Sequence, residues 1–282
     1  MTINCAGSLL CFKEPKIMGI VNVTPDSFYD GGQLNSEYKI LQHVESLLNE
    51  GSDFIDIGGC STRPYATKFP TEEEELKRVI NPIRIILKTF PKTKISIDTF
   101  RSKVAEIAVK EGAVMINDIS GGILDKKMFL LLSKLKIPYI LTYLSLKKNE
   151  RNTKNIIIDT NNFFSKKIYY LKQYGINDII LDPGFGFGKT LEQNFQLLKH
   201  LSLMGFEDHL ILIGISRKSM IQNILNISSE KSLNATSVIH TLSLLKGVKF
   251  IRVHDVKEAM ECIKLVQFYK KIKIEKKFKV SR

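Results

Sequence analysis

The 282-residue chain is 44% hydrophobic, carries a net charge of +13 and contains no tryptophan. No apolar run approaches the ~20 residues that a membrane-spanning helix needs, and no basic region precedes the short apolar stretch near the N-terminus, so neither a membrane partner nor a signal peptide is predicted and a cytoplasmic location is expected. The lysines are scattered, which is typical of a solvated surface and argues against a nucleic-acid partner.

The cysteines argue against two further classes of protein. Cys5, Cys11, Cys60 and Cys262 include no Cys-x-x-Cys pair, and no paired histidines accompany them. A zinc site is therefore not expected, and a disulfide framework is not expected in a chain of this length.

Short runs rich in Ile, Val and Leu alternate with amphipathic stretches of helical spacing, several of which end at glycine. Continuous apolar runs of this kind are typical of strands buried on both faces of a parallel sheet. They predict eight strands, at 17–23, 53–58, 94–99, 113–118, 138–143, 178–183, 210–216 and 249–255.

Eight strands alternating with eight helices predict an α/β fold, a single (β/α)₈ TIM barrel over residues 1–282 with a core of about 14–265. A doubly wound open sheet is the alternative, but it would more often carry a glycine-rich dinucleotide fingerprint. The short segment before the first strand, SLLCF, is expected to pack across the barrel bottom.

The segment LDPGFGFGKT, residues 181–190, invites comparison with a phosphate-binding loop. A P-loop would need glycine where Pro183 lies, and the dinucleotide fingerprint would need glycine where Lys189 lies. The segment is therefore interpreted as a turn that follows Asp182 at a strand end, with Lys189 and Thr190 starting the next helix.

Polar residues follow seven of the eight predicted strands, at the rim where barrel enzymes carry their sites. A single Asp or Asn at such a position often only caps a helix, and Asp56 and Asp118 are interpreted as structural. The remaining residues divide by charge. Asp98, Asn117 and Asp182 suit a flat heterocycle with several N–H donors. Arg63, Lys218, Arg252 and His254, with Asn22 beside them, suit an anion, and Ser219 is expected to open a helix whose N–H groups can bind a carboxylate or phosphate.

Seven segments resemble, in order, the signature segments of the bacterial dihydropteroate synthase family, and they cover roughly residues 14 to 265. They are MGIVNVTPDSFYDGG, DIGGCSTRP, SIDT, INDISGG, LDPGFGFGK, GISRKSMI and IRVHDVKE. The resemblance implies a transferase of folate biosynthesis. It would join 4-aminobenzoate to 6-hydroxymethyl-7,8-dihydropterin diphosphate with Mg²⁺ present, release diphosphate, and act as a homodimer.

The resemblance also implies a role for each matching residue. The pterin-binding residues would be Asp98, Asn117, Ile119, Asp182, Phe187, Gly214, Lys218 and Arg252. The diphosphate-binding residues would be Asn22, Thr62, Arg252 and His254, with Asn22 also ligating Mg²⁺. The aminobenzoate-binding residues would be Thr62, Pro64, Phe187 and Ser219. The residues assigned to catalysis would be Lys218, Arg63 and Asp26, and the two long loops at 24–36 and 59–71 would close over the site.

The sequence departs from the family pattern at Cys60, at Tyr65, and at Thr142 and Tyr143, which replace a usual Met-His pair. The last change predicts a weaker pterin contact. A methyltetrahydrofolate methyltransferase is the alternative enzyme, although it has no use for a diphosphate site. The non-enzyme alternatives are a barrel that only binds pterin and a basic nucleic-acid-binding protein.

Overall fold

The computed structural model describes residues 1–5, 7–24, 37–60, 69–145 and 155–272. An antiparallel hairpin comes first, with strand β1 at Thr2–Cys5 and β2 at Ser8–Cys11. It lies before the main sheet and pairs with none of its strands.

Eight parallel strands then form a closed barrel in which β10 pairs with β3, which confirms the predicted fold. The strands are β3 Lys16–Asn22, β4 Phe54–Gly58, β5 Ile95–Asp98, β6 Met115–Asp118, β7 Tyr139–Thr142, β8 Ile179–Asp182, β9 Leu210–Ile213 and β10 Phe250–Val253. Each overlaps its predicted run. The largest difference is at β9, which ends three residues before the predicted 216 because the chain turns there, with the Lys218 amide donating to the Ile215 carbonyl at 3.1 Å.

Nine α-helices lie in the described part of the chain, one more than predicted. They are α1 Glu37–Asn49, α2 Glu72–Thr89, α3 Ser102–Lys110, α4 Met128–Leu135, α5 Ile156–Gln173, α6 Leu191–Lys199, α7 Ser219–Leu225, α8 Leu233–Leu245 and α9 Val256–Lys271. The additional helix arises because α7 stops at Asn226, which is left-handed at φ 51°, so both α7 and α8 follow β9. None of these helices is long and apolar enough to cross a membrane.

The hairpin closes the N-terminal end of the barrel. Ile3, Cys5 and Phe12 belong to the same buried cluster as the residues that fill the barrel interior. The Phe12 and Phe54 rings each lie 5.3 Å from the Phe250 ring. This confirms the expected packing of the N-terminal segment, and it leaves the opposite end, where the strands finish, as the open mouth.

Candidate active site at the barrel mouth

Strand alternation explains why polar side chains meet inside this mouth. Phe54 and Phe250 point into the barrel interior near its floor. Side chains two residues further along a strand face the same way, so Asp56 and Arg252 point into the interior one layer higher. The same reasoning places Asn117 above Met115 and Asp182 above Ile180. Apolar residues thus fill the lower barrel and polar residues its upper end.

A cluster of one cation and two carboxylates forms the centre of this polar layer. Arg252 donates from Nε to Asp56 Oδ2 at 2.5 Å and from Nη2 to Asp98 Oδ2 at 2.7 Å. Asn117 Nδ2 donates to the same Asp56 oxygen at 3.0 Å. Three of the predicted pterin-binding residues are therefore brought together, and Asp56 connects two of them.

Asp56 and Asp118 have different surroundings, although both are interpreted as structural from the sequence. Asp118 accepts from the amides of Ser120 at 2.7 Å and Gly122 at 2.9 Å, and from the Tyr139 hydroxyl at 2.8 Å. These contacts suit a structural role. Asp56 instead contacts two predicted site residues, a role that sequence reasoning missed. The available signal was its position on the same strand face as the site, one layer below the rim.

The electrostatics of the mouth follow from burial. Burial, with Asp56 close by, raises the pKa of Asp98 to about 7 in spite of the neighbouring Arg252. Burial also raises the pKa of Asp182, although Lys218 opposes this shift. Burial lowers the pKa of Lys218 to about 8. For Arg252 burial acts to lower the pKa, but Asp56 and Asp98 outweigh it and raise the pKa, so this residue stays cationic.

The glycine-rich turn after β8 is folded tightly against the end of β7. Asp182 Oδ1 accepts from the Gly184 amide at 2.7 Å. A Cβ at Gly188, where φ is 66°, would lie 2.0 Å from the Ser145 carbonyl oxygen, so only glycine allows this approach. Thr190 caps α6 in a capping box with Gln193, which confirms that the helix starts here. Lys189 binds the carbonyls of neighbouring turns.

Lys218 follows the neighbouring strand β9 and contacts this turn. Its Nζ donates to the Phe185 carbonyl and lies 4.2 Å from the centre of the Phe187 ring. The Phe187 ring packs on a small buried cluster formed by Cys60, Phe100 and Ile119. The predicted residues Phe187, Ile119 and Lys218 thus line one side of the mouth, where an apolar shelf adjoins a cation.

The ends of β9 and β10 lie side by side and bear Ser216 and the predicted site residue His254. Ser216 Oγ lies 3.0 Å from His254 Nδ1, and the His254 amide donates to the same Oγ at 3.3 Å. Ser219 is exposed and begins α7, as expected. A Cβ at Gly214 would lie 3.9 Å from Arg252 Cβ, so this glycine flanks the arginine.

Asn22 ends β3 and reaches the same layer. A Cβ at Gly58 would lie 3.4 Å from Asn22 Oδ1 and 3.6 Å from Asp98 Oδ2. The side chains of Asn22 and Asp98 therefore both border Gly58. Thr62, Arg63, Pro64 and Asp26, together with Tyr65, lie outside the described residues, as do most of the two long loops.

The two residues that replace the usual Met-His pair differ in direction. The Tyr143 ring packs on Phe163 with ring centres 5.1 Å apart, on the side of the helices. Thr142 pairs in register with Asp182 and is 0% exposed. Within the described part of the chain its hydroxyl has no hydrogen-bond partner. A weaker pterin contact here stays a prediction.

Comparison with known proteins shows the family to which the chain is similar. A sequence model of the family described as pterin binding enzyme matches residues 18–254. The chain is 41% identical to the dihydropteroate synthase of Clostridium beijerinckii over 254 residues, covering 88% of this chain and 92% of the relative. The crystal structure of the Yersinia pestis dihydropteroate synthase with a sulfonamide drug has a TM-score of 0.90 at 36% identity, covering 96% of this chain and 100% of that chain. A Xanthomonas albilineans dihydropteroate synthase with 4-aminobenzoic acid has a TM-score of 0.88 at 34% identity, over 96% and 99% of the two chains.

Proposed function

The chain belongs to the dihydropteroate synthases of the pterin-binding enzyme family, and we propose that the side chains at its barrel mouth carry that reaction. A dihydropteroate synthase is an alkyltransferase that joins 4-aminobenzoate to 6-hydroxymethyl-7,8-dihydropterin diphosphate, giving 7,8-dihydropteroate and diphosphate. The observation that carries the residue assignment is the meeting of predicted site residues at one mouth: Arg252 donates to both Asp56 and Asp98, and Asn117 donates to Asp56.

The pterin ring is assigned to the acceptor side. The 2-amino-4-oxopyrimidine edge of the pterin offers N–H donors, and Asp182 and Asn117 accept hydrogen bonds from them. Asp98 accepts a hydrogen bond from an N–H of the second pterin ring. Lys218 donates to the pterin carbonyl, and Arg252 lies against the ring. Because these groups are largely enclosed, each hydrogen bond to a charged partner is stronger than it would be in water.

The diphosphate is assigned to Asn22, Thr62, Arg252 and His254. Ser216 Oγ lies 3.0 Å from His254 Nδ1 and so helps to orient the ring at the anion end of the mouth. Mg²⁺ fits here because it takes one or two protein oxygens together with substrate phosphates, and the side-chain amide of Asn22 supplies one such oxygen at the end of β3. When bound, the ion would neutralise charge on the departing diphosphate.

The aminobenzoate is assigned to the apolar shelf. Its ring would contact Phe187 and Pro64, and its carboxylate would meet Ser219 and Thr62. The C–O bond to diphosphate breaks and the C–N bond forms as the amine, already nucleophilic, attacks the pterin methylene carbon and loses a proton to solvent. The protein contributes mainly by holding both substrates in line and by stabilising the leaving group, with Lys218, Arg63 and Asp26 nearest the reaction.

The test is direct conversion. Purified protein is incubated with both substrates and Mg²⁺, and 7,8-dihydropteroate is measured against a protein-free control. We expect product from the wild type and a large loss in Lys218→Met. Folded wild-type protein that forms no product would refute the assignment of this reaction.

We further propose that the chain forms a homodimer through helices α8 and α9. Each helix carries one stripe of exposed apolar residues, and the two helices pack against each other. This α8–α9 surface consists of Val238, Leu242, Leu245, Leu265, Phe268, Tyr269 and Ile272. Leu265 is 71% exposed. Exposed apolar residues that cluster on neighbouring helices are expected at a protein interface.

A cytoplasmic location is proposed on the state of the cysteines. All four lie among the described residues, and none forms a disulfide. Reduced thiols, including the exposed Cys11, suit a reducing compartment. Cell fractionation tests this: recovery in a cytoplasmic fraction is expected, and recovery in an oxidising compartment would contradict it.

A further inference from the structure

Asp56 lies beneath the proposed pterin site and is 0% exposed. Its Oδ2 accepts from Arg252 Nε at 2.5 Å and from Asn117 Nδ2 at 3.0 Å. One enclosed carboxylate therefore holds two of the side chains assigned to the pterin, although its own oxygens face the protein interior.

This contact decides how the Asn117 amide points. A carboxylate can only accept hydrogen bonds, so the NH₂ group of Asn117 must face Asp56. One N–H is used there. The amide oxygen and the second N–H then remain as an acceptor and a donor. A flipped amide would direct its oxygen at a carboxylate and would lose the hydrogen bond.

The acceptor–donor pair matches one kind of ring edge. An amino group beside an unprotonated ring nitrogen, as in a 2-aminopterin, complements it. A 2-oxo ring with a protonated neighbouring nitrogen presents the reverse pattern and would match only the flipped amide. A site that leaves buried polar groups without partners rejects a ligand strongly.

We propose that Asp56 is a positioning residue that makes the site prefer 2-aminopterins over 2-oxo analogues, because it fixes the Asn117 amide in one orientation. Arg252 contributes to the same arrangement, since its contacts to Asp56 and Asp98 hold the guanidinium plane. The inference rests on the proposed pterin site and adds the cause of its selectivity.

The test compares two ligands on two variants by titration calorimetry. The ligands are 6-hydroxymethylpterin and 6-hydroxymethyllumazine, which has a 2-oxo group and a ring N–H. In Asp56→Asn the new side chain can donate as well as accept, so Asn117 can adopt either orientation, and we expect the preference for pterin to fall by roughly fivefold or more. Asp53→Asn is the matched control. Asp53 directly precedes β4, at the other end of the barrel, and it accepts hydrogen bonds from the Lys16 side chain and the Ile17 amide of β3. We expect the Asp53→Asn variant to keep the wild-type preference for pterin.

Equal weakening of both ligands in Asp56→Asn, with the preference unchanged, would mean that Asp56 only supports the fold and would overturn the inference. A wild type that binds neither ligand would refute the proposed pterin site, and the inference with it. If Asp56→Asn does not fold, the orientation of the Asn117 amide is tested by ¹⁵N NMR of the wild type. The Asn117 side-chain signal is identified by its loss in the Asn117→Ser variant. We expect one amide N–H of Asn117 to exchange slowly with water, and rapid exchange of both would overturn the inference.

Discussion

Arg217 and Asp255 form a two-pronged ion pair, with Nε 2.9 Å from Oδ2 and Nη2 2.5 Å from Oδ1. Their side chains are only 5% and 12% exposed. Arg217 has a φ of 56°, a left-handed conformation that costs a non-glycine residue on the order of 1–3 kcal/mol. The pair joins the turn after β9 to the start of α9, and so places Lys218 and His254 at the mouth.

Removing one partner of this pair is expected to destabilise the fold strongly. Asp255→Ala leaves the Arg217 charge enclosed without its carboxylate, which costs about 3–5 kcal/mol in the free energy of unfolding. Urea denaturation measures this loss. Glu106→Ala is the control, because its ion pair with Lys110 is exposed and we expect little change. Losses of similar size in the two variants would contradict the role given to the buried pair.

Two glycines with the same backbone conformation allow the cost of a left-handed φ to be distinguished from the cost of a steric clash. Gly188 and Gly205 have φ values of 66° and 65°, but a Cβ at Gly205 would meet nothing within 4 Å. Both alanine variants strain the backbone, and only Gly188→Ala must also displace the backbone at Ser145. We expect Gly188→Ala to be less stable than Gly205→Ala by at least about 1 kcal/mol in thermal unfolding. Equal melting temperatures would show that the turn after β8 is not held closely.

Asp182→Asn tests the acceptor role assigned to this carboxylate. Losing one charged hydrogen bond should cost about 1.5–3 kcal/mol, which is roughly ten- to hundredfold in pterin affinity. Calorimetry with 6-hydroxymethylpterin measures the change. Asp208→Asn serves as the control, since Asp208 is exposed and precedes β9 at the opposite end of the barrel. Unchanged affinity in Asp182→Asn would remove this residue from the pterin site.

Pterin affinity is expected to be greatest between about pH 7 and pH 8, the pKa values of Asp98 and Lys218. Asp98 accepts a hydrogen bond most strongly as a carboxylate, so affinity falls as the pH drops below its raised pKa. Lys218 donates most strongly as an ammonium, so affinity falls as the pH rises above its lowered pKa. Asp98→Asn should change the acidic limb, to which Asp182 also contributes because burial raises its pKa, and Lys218→Met should abolish the alkaline limb. A pH profile that both variants leave unaltered would disprove these assignments.

The α8–α9 surface predicts a dimer that should dissociate when charged side chains are introduced at this surface. Glutamates at Leu265 and Phe268 would place carboxylates in an apolar interface, so we expect this double variant to sediment as a monomer and the wild type as a dimer. Leu130→Glu, on α4, introduces a charge at another exposed leucine and should stay dimeric. A monomeric wild type would refute the proposed interface.

The fold could be predicted from the sequence because strands buried on both faces leave a clear signal. Eight apolar runs match β3 to β10, and the capping residue Thr190 marks the start of α6. The second helix after β9 was harder to predict. Its start depends on Asn226 adopting a left-handed conformation at the end of α7, and asparagine is only one of several residues that do so.

The site could be predicted as a set of strand ends, but the contacts within it could not. Asp98, Asn117 and Arg252 were identified by position alone. The role of Asp56 depends on a hydrogen bond to Asn117, 61 positions away, and an ion pair to Arg252, 196 positions away. Such pairings arise only when the barrel closes and β10 lies beside β3. The residues near each position in the sequence therefore do not predict them.

A crystal structure of the protein with 6-hydroxymethylpterin tests the central claim most directly. We expect the aminopyrimidinone edge to lie within hydrogen-bond distance of Asp182 and Asn117, with Lys218 on the pterin carbonyl and Arg252 against the ring. A pterin bound elsewhere, or one whose amino edge turns away from these two side chains, would contradict the account.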